Sequence, residues 1–389
     1  MKILALAPQP FFAPRGTPYS VYYRTLTMAE HGANIDLNTY GEGADVRIPG
    51  VRHFRIPHPR FLRPVGIGPS GTKLLLDAIM LAVFVRFVMK NSYDVVHAHE
   101  ESIFFAALFK PVFKYRLVYD MHSSLPQQLA NFRFSRSRIL FRLFQSLERF
   151  SLRRADMVIT VCPDLAAHAK ARMPDDTRHL MIENTRFEPV RLVGDAASRT
   201  DTPAFEFPEG RRVVFYAGSF EAYQGLDLLV RAFAKVVPSH PDATLVLAGG
   251  VPEQIARLES LAVELGISEE CILPGRIPQE VVQDLLPRAA VLVSCRVAGT
   301  NTPLKIYEQL ASGVPLVATR IMSHTQVLND ELAILVDPTA EDMARGLQEA
   351  LVGSDAVRRR AEAARDRAQR DYTVDVFRRK TSELLSRIS

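Results

Sequence analysis

The chain has 389 residues, 47% apolar and 23% charged, with a mean hydropathy near zero, a length that exceeds one hydrophobic core and calls for two domains. Its three scattered cysteines, Cys162, Cys271 and Cys295, exclude a disulfide framework and a thiolate metal site, and favour a reducing cytoplasm. Of the formal charge of +5, residues 1–190 hold 25 Lys/Arg against 16 Asp/Glu and the remainder 23 against 27, so the first half is the basic one and points to an anionic partner. The N-terminus is apolar only briefly before Pro8-Gln9-Pro10, and reads as a buried strand, Lys2–Ala7, rather than a leader. Further strands are expected at Asn34–Thr39, Val51–Ile56, Asp94–His97, Leu117–Asp120 and Met157–Val161. After a stretch without helical or strand period, they resume at Val213–Ala217, Thr244–Ala248, Cys271–Leu273, Ala290–Ser294, Pro315–Ala318 and Ala333–Val336. Amphipathic segments of helical length fill the intervals, and the C-terminal end reads as a charged helix broken near Asp371-Tyr372-Thr373, with Thr373 as a new N-cap. The alternation predicts an α/β chain with two Rossmann-like domains, 1–190 and 212–365, a linker at 191–211, and a helix at 366–389 packing back on the first domain. Parallel sheets of this kind bind ligands beyond the carboxyl ends of their strands.

Gly299–Glu308 is the most informative segment. It runs from an apolar strand into a short helix, with Thr302 as an expected N-cap and Pro303 at the first helical position, where a missing N–H costs nothing. A loop of Thr300, Asn301 and Thr302 leading through Pro303 and Leu304 into a helix leaves backbone N–H groups for an anion such as a diphosphate. Lys305 adds charge, and Glu308, three residues on, lies on roughly the same face and is suited to accept hydrogen bonds from a ribose. The same pattern also fits an ordinary capped strand–loop–helix connection. After the first strand, Gly16-Thr17-Pro18 shows a second Thr-Pro helix start, with Gly16 allowing close backbone approach, though G-x-G-x-x-G is absent.

His99 and His122 are expected just past strands at the ligand edge, with His122 as a hydrogen-bonding residue and His97 structural. A metal needs convergent ligands, and no H-x-x-x-H helix pair supplies them, so none is expected. Thr72–Lys90 is too short and interrupted to span a membrane. Asn131–Arg154 interleaves Arg133, Arg136, Arg138, Arg142, Arg149, Arg153 and Arg154 with Phe132, Phe134, Phe141, Phe144 and Phe150. That pattern fits a helix lying on an anionic membrane, and equally a core-packing helix with a solvated basic face. No nucleic-acid recognition motif is present, and no nucleic acid is expected as a partner.

The order and spacing of several segments resemble the family-4 retaining glycosyltransferases of GT-B fold along essentially the whole chain. The segments are Asp94–His99, Val118–His122, Leu147–Val161, Glu183-Asn184-Thr185, Tyr216–Phe220 with Gln224–Asp227, Val246–Gly250, Leu273–Arg276 and the stretch at 299–308. The resemblance implies two Rossmann-like domains facing a central cleft, with hinge closure through 190–211. It implies transfer of a sugar, with retention and without a metal, from a UDP- or GDP-linked donor to a hydroxyl acceptor, itself a glycan or lipid-linked. No further cofactor is implied. The enzyme would be cytoplasmic, peripheral on the inner face of the membrane. His122 would sit by the donor sugar, with Gly16, Thr17 and Gly218 along the binding edge, and Glu308 would match the second carboxylate of the family's paired-glutamate motif. Three positions depart from the pattern: Thr300 stands where the first carboxylate is expected, and Ser219 and Gln224 where many members carry the arginine and lysine that grip the diphosphate. Arg296 and Lys305 are expected to compensate. Other readings are a sugar-nucleotide hydrolase or epimerase, or a non-catalytic partner in polysaccharide assembly.

Overall fold

A computed structural model of the chain describes residues 1–12, 16–66, 70–124, 126, 138–190, 192–193 and 205–389. It divides into two compact units, Met1–Arg199 with Val374–Ser389, and Thr200–Thr373.

The first unit is built on strands β1 (Lys2–Ala7), β2 (Asn34–Thr39), β3 (Val51–Arg55), β4 (Val95–His99), β5 (Arg116–Met121), β6 (Met157–Thr160) and β7 (His179–Met181). They form one sheet in the order β3-β2-β1-β4-β5-β6-β7, every pairing parallel. Its helices are α1 (Gly16–Glu30), α2 (Gly71–Lys90), α3 (Ser102–Phe113), α4 (Arg138–Arg154) and α5 (Pro163–Lys170). Strands buried on both faces need apolar residues at nearly every position, and Val95–Ala98 and Met157–Ile159 supply them. The expected strand at Asp94–His97 begins one residue later and ends two later, so His99 is inside β4 and paired with Asp120 of β5 rather than beyond the sheet. β7 escapes a pattern reading because three residues are too few to show a period.

The second unit repeats the plan with β8 (Arg212–Gly218), β9 (Ala243–Gly249), β10 (Cys271–Gly275), β11 (Val291–Ser294), β12 (Leu316–Thr319) and β13 (Ile334–Val336), in the order β10-β9-β8-β11-β12-β13. Its helices are α6 (Leu226–Val236), α7 (Pro252–Glu264), α8 (Gln279–Leu285), α9 (Leu304–Ser312), α10 (Met322–Thr325), α11 (Ala340–Val352) and α12 (Asp355–Asp371). Alternation along β8 sends Val214 and Tyr216 into one apolar core and Val213 and Phe215 into the other.

The predicted boundary at 366 falls inside α12. The reason is packing: Ala364, Ala368 and Tyr372 form an apolar stripe in the core of the second unit, which holds the helix there through its last turn. The chain changes units only at α13 (Val374–Ile388), whose Phe377 and Leu384 are buried and which packs on α1. Most of the expected linker, 194–204, lies outside the described residues.

Both strand orders reverse once, between β1 and β4 in the first unit and between β8 and β11 in the second. Those switch points are where an open parallel sheet leaves a crevice at its carboxyl edge. The segments that leave the four strands are 8–15, 100–101, 219–225 and 295–303.

Candidate functional site

Each unit gathers polar groups at its own switch point. In the second, β11 ends at Ser294 and the chain loops to α9, whose N-cap is Pro303 at φ −66° and ψ 138°, with no side-chain cap bond. Thr302 is therefore not the N-cap, and Pro303 is not the first helical residue. Pro303 itself takes the extended backbone of an N-cap rather than helical angles, so the helix starts at Leu304. Thr302 Oγ1 is instead buried with no hydrogen-bond partner among the described residues.

Lys305 enters the interior from the first turn of α9. Its Nζ lies 3.8 Å from the centroid of the Tyr216 ring, a cation–π contact, and has no hydrogen-bond partner among the described residues. Room for it comes from Gly218 at the end of β8. A Cβ there would lie 2.7 Å from Lys305 Nζ, and the backbone φ of +152° also disfavours a side chain. Burial pushes the Lys305 ammonium down to about 7, with Arg296 adding to the shift and Cys295 and Glu308 opposing it. Arg296 is the second cation. Its guanidinium lies 5.0 Å from the Tyr223 ring, Nη1 donates to the Asn301 carbonyl at 3.0 Å, and the buried Nε has no partner among the described residues.

Ser219 and Gln224 occupy the loop after β8. Tyr216 donates its hydroxyl to the Ser219 carbonyl at 2.8 Å, and Gln224 is buried with its amide 3.4 Å from Ser219 Oγ. The Thr300 carbonyl accepts from Gln326 Nε2 at 2.5 Å. Glu308 is held from α8, where Gln279 and Gln283 donate to its Oε1 at 3.3 and 3.1 Å. The structure thus brings Gly218 to Lys305 and Arg296 to Asn301, on two loops of one edge. The result is a buried ammonium, a half-buried guanidinium, one unfilled hydroxyl and a fixed carboxylate, a set suited to a diphosphate carrying a polar sugar.

In the first unit the buried charges are paired, although Arg24 Nη1 and Nη2, His97 Nδ1, His99 Nε2 and Asp120 Oδ1 are buried with no hydrogen-bond partner among the described residues. Asp120 Oδ2 lies 2.7 Å from Arg24 Nε, 3.0 Å from His97 Nε2 and 3.5 Å from His99 Nδ1; His122 Nε2 is 3.4 Å from Oδ1 and 3.1 Å from His99 Nδ1. All five side chains are essentially buried. Burial alone would raise the Asp120 carboxyl, but Arg24 beside it, with His122, His99 and His97, holds it well below the usual carboxylate range. Burial pushes His122 down to about 4 and His99 well below its ordinary value, so both are neutral imidazoles near pH 7. Phe377 of α13 covers the Arg24 guanidinium, 5.3 Å from ring centroid to Cζ.

The metal-ligating atoms of His97, His99 and Asp120 lie within 4.8 Å of one another. They converge across neighbouring parallel strands, a route that a search for helical histidine pairs cannot detect. Arg24 already neutralises the one carboxylate of the set, and its charge opposes a cation there. Sequence reading also missed Arg24, although its position with Val21, Thr25 and Met28 on the buried stripe of α1 placed a charge facing the core. It missed Glu100 as well. Glu100 follows β4 at φ +50°, accepts from Ser123 Oγ at 2.7 Å, and is pushed up to about 8 by burial, with Glu101 adding.

Gly16 is exposed at the first residue of α1 and Thr17 is partly buried. Thr17-Pro18 therefore lies within the helix, whereas Thr302-Pro303 lies before one, and the two Thr-Pro starts are not equivalent. Residues 13–15 are outside the described residues, as are Arg133, Arg136, Phe132 and Phe134 of the basic-aromatic segment and the side chain of Arg138. On α4, Arg142, Arg149, Arg153 and Arg154 are exposed together with Phe141, Leu143 and Phe150, while Phe144 packs toward Phe104. Among the described residues no helix is long and apolar enough to cross a membrane.

With this geometry in hand, comparison with known proteins is informative. Residues 198–367 match the family profile described as Glycosyl transferases group 1, and residues 23–185 that described as Glycosyl transferase 4-like domain. The fold is that of the GT-B glycosyltransferases. Sucrose-phosphate synthase from Thermosynechococcus elongatus superposes with a TM-score of 0.76 over 100% of this chain and 98% of its own, at 20% identity. Anabaena HepE in complex with UDP-glucose does so with 0.70 over 99% of each, at 16% identity. The D-inositol 3-phosphate glycosyltransferase of Saccharomonospora viridis is 30% identical over 242 residues, covering 57% of this chain and 55% of the relative. The chain spans between about a quarter and three fifths of the first curated relatives it matches. Nearly all of the second unit and most of the first thus each fall in a glycosyltransferase profile.

Proposed function

We propose that the chain is a retaining, metal-independent glycosyltransferase that moves a sugar from a nucleotide-diphosphate donor to a hydroxyl acceptor. The observation that carries this reading is Lys305: a buried ammonium near the half-buried Arg296, at the switch point of a parallel sheet, with no hydrogen-bond partner among the described residues. Leaving such a charge unpaired is costly, and a bound diphosphate offsets that cost. The leaving group departs as an anion, so stabilising negative charge with fixed cations and backbone dipoles is the main catalytic task. Arg296 and Lys305 do this in place of the basic residues that Ser219 and Gln224 replace. Glu308, held by two glutamines, takes the ribose, and Thr300 and Asn301 take sugar hydroxyls. His122, neutral and fixed by its neighbours, presents a hydrogen bond to the donor sugar. The donor is UDP- or GDP-linked, as the UDP-glucose complex of HepE supports, and no further cofactor is required.

The acceptor is a glycan or lipid-linked hydroxyl. The exposed arginines and aromatic residues of α4 support a site of action on an anionic membrane surface. A thermal-shift screen of UDP-, GDP- and ADP-sugars tests the donor, since a ligand that binds only the folded chain raises its melting temperature. If none of the three shifts the melting temperature at millimolar concentration, the reading is overturned. Proton NMR of the product's anomeric signal tests retention.

A further inference from the structure

Glu100 has a backbone that suits another residue. It sits at φ +50° directly after β4, in the left-handed region that glycine enters freely and a long side chain does not. Such conformations persist where the surrounding structure holds them, and they concentrate at functional sites. The side chain is not there to cap a helix: the helix that follows, α3, has Glu101 at its N-cap and no side-chain cap bond. Its one side-chain hydrogen bond among the described residues is from Ser123 Oγ to Oε2 at 2.7 Å. Ser123 directly follows His122. The pair therefore joins the two loops that leave β4 and β5 at the carboxyl edge, beside the buried histidine cluster. Ser123 is itself buried, whereas Glu100 remains partly accessible. Oε1 is left without a hydrogen bond to any described group.

We infer that Glu100 is an acceptor-binding residue whose Oε1 hydrogen-bonds a hydroxyl of the acceptor, with Ser123 fixing the carboxyl group. This rests on the glycosyl-transfer reading above. In the transfer, the acceptor oxygen forms a bond to the anomeric carbon, the bond from that carbon to the diphosphate oxygen breaks, and the hydroxyl proton passes to the departing diphosphate. Glu100 holds the acceptor for that step and gains or loses no proton in it.

The test exploits the backbone. Glu100→Gly removes the side chain and relieves the left-handed strain together, so a residue with a structural role only would lose its Ser123 bond and show no defect specific to the acceptor. With UDP-glucose as donor and n-octyl β-D-glucopyranoside as acceptor, the expected result is a tenfold or larger fall in transfer, carried mainly by the acceptor KM. The UDP-induced thermal shift, the acceptor-independent hydrolysis of UDP-glucose and the melting temperature should hold or improve. Glu100→Gln, which keeps a hydrogen-bonding group, should recover part of the transfer. Unchanged transfer in Glu100→Gly, or a parallel fall in UDP binding, would overturn the assignment while leaving the donor reading intact. A wild-type chain that binds no nucleotide sugar would overturn both.

Discussion

The two switch points hold buried charge in opposite ways. In the first unit, Asp120 has Arg24, His97, His99 and His122 within 3.5 Å, so the buried charges are paired with one another, although Arg24 Nη1 and Nη2 and Asp120 Oδ1 have no hydrogen-bond partner among the described residues. In the second, Lys305 Nζ and Arg296 Nε are buried with no partner among the described residues. A closed set is a brace, and its value is read in stability. An open set is a receptor, and its value is read in ligand affinity. The contrast predicts which substitutions unfold the protein and which leave it folded and empty.

The largest effect belongs to the closed set. Arg24→Met removes the cation from a fully buried carboxylate and leaves it uncompensated. The expected loss is about 3–5 kcal/mol of stability, the usual cost of breaking one side of a buried pair. Urea unfolding measures it. If Arg24→Met unfolds within 1 kcal/mol of wild type, roughly the effect of a surface pair, the brace interpretation of the cluster fails.

Lys305→Ala should do the reverse. Donor affinity and turnover should fall by about 10- to 100-fold, the range of one charge-assisted hydrogen bond. The unliganded protein should be no less stable, because a buried unpaired ammonium has been removed. Calorimetric titration with UDP and a thermal melt of the same sample give both numbers. Equal losses in both, or in neither, would erase the contrast between the two sites.

How much of this was readable beforehand follows from the physics of each element. Strands buried on both faces show as apolar runs, so twelve of the thirteen strands among the described residues are located to within two residues at each end, and the two-unit plan with them. The placement of Lys305 and Glu308 on one short helix was legible because a three-residue spacing is a local feature. The N-cap at Thr302 is one residue early, because proline's fixed φ suits both an N-cap and a first helical residue and only ψ, 138° at Pro303, separates the two. The Asp120 cluster was not legible because its members come from α1, β4 and β5, and only the parallel register His99↔Asp120 brings them together. Glu100 carried no signal at all, since a positive φ cannot be read from a glutamate in the sequence.

Gly218→Ala should have a smaller effect. The new methyl would occupy space 2.7 Å from Lys305 Nζ, at the flexible end of a long side chain, so the lysine moves and the fold accommodates it. UDP affinity should drop several-fold, with a modest stability loss from the backbone angle. Combined with Lys305→Ala, the glycine substitution should add little further loss of affinity, because contacting residues do not act independently. Full additivity would show that Gly218 acts on the donor by another route.

The last contrast is read as a slope. Lys305 is at about 7 in the folded chain and near its ordinary 10.5 when unfolded, so between those values the unfolded chain binds more protons. Stability must then rise with pH across that window, as the cost of burying the ammonium is relieved. Donor affinity must move the other way, because a diphosphate needs the protonated lysine. His122 adds an acid-side slope of its own: its folded value of about 4 lies below the ordinary 6.5, so stability is lost as pH falls from 6.5 through 4. Lys305→Met removes the alkaline slopes in both stability and UDP affinity and leaves the acidic one. An alkaline slope that survived in Lys305→Met would belong to another group and would separate the open site from the lysine on which it is built.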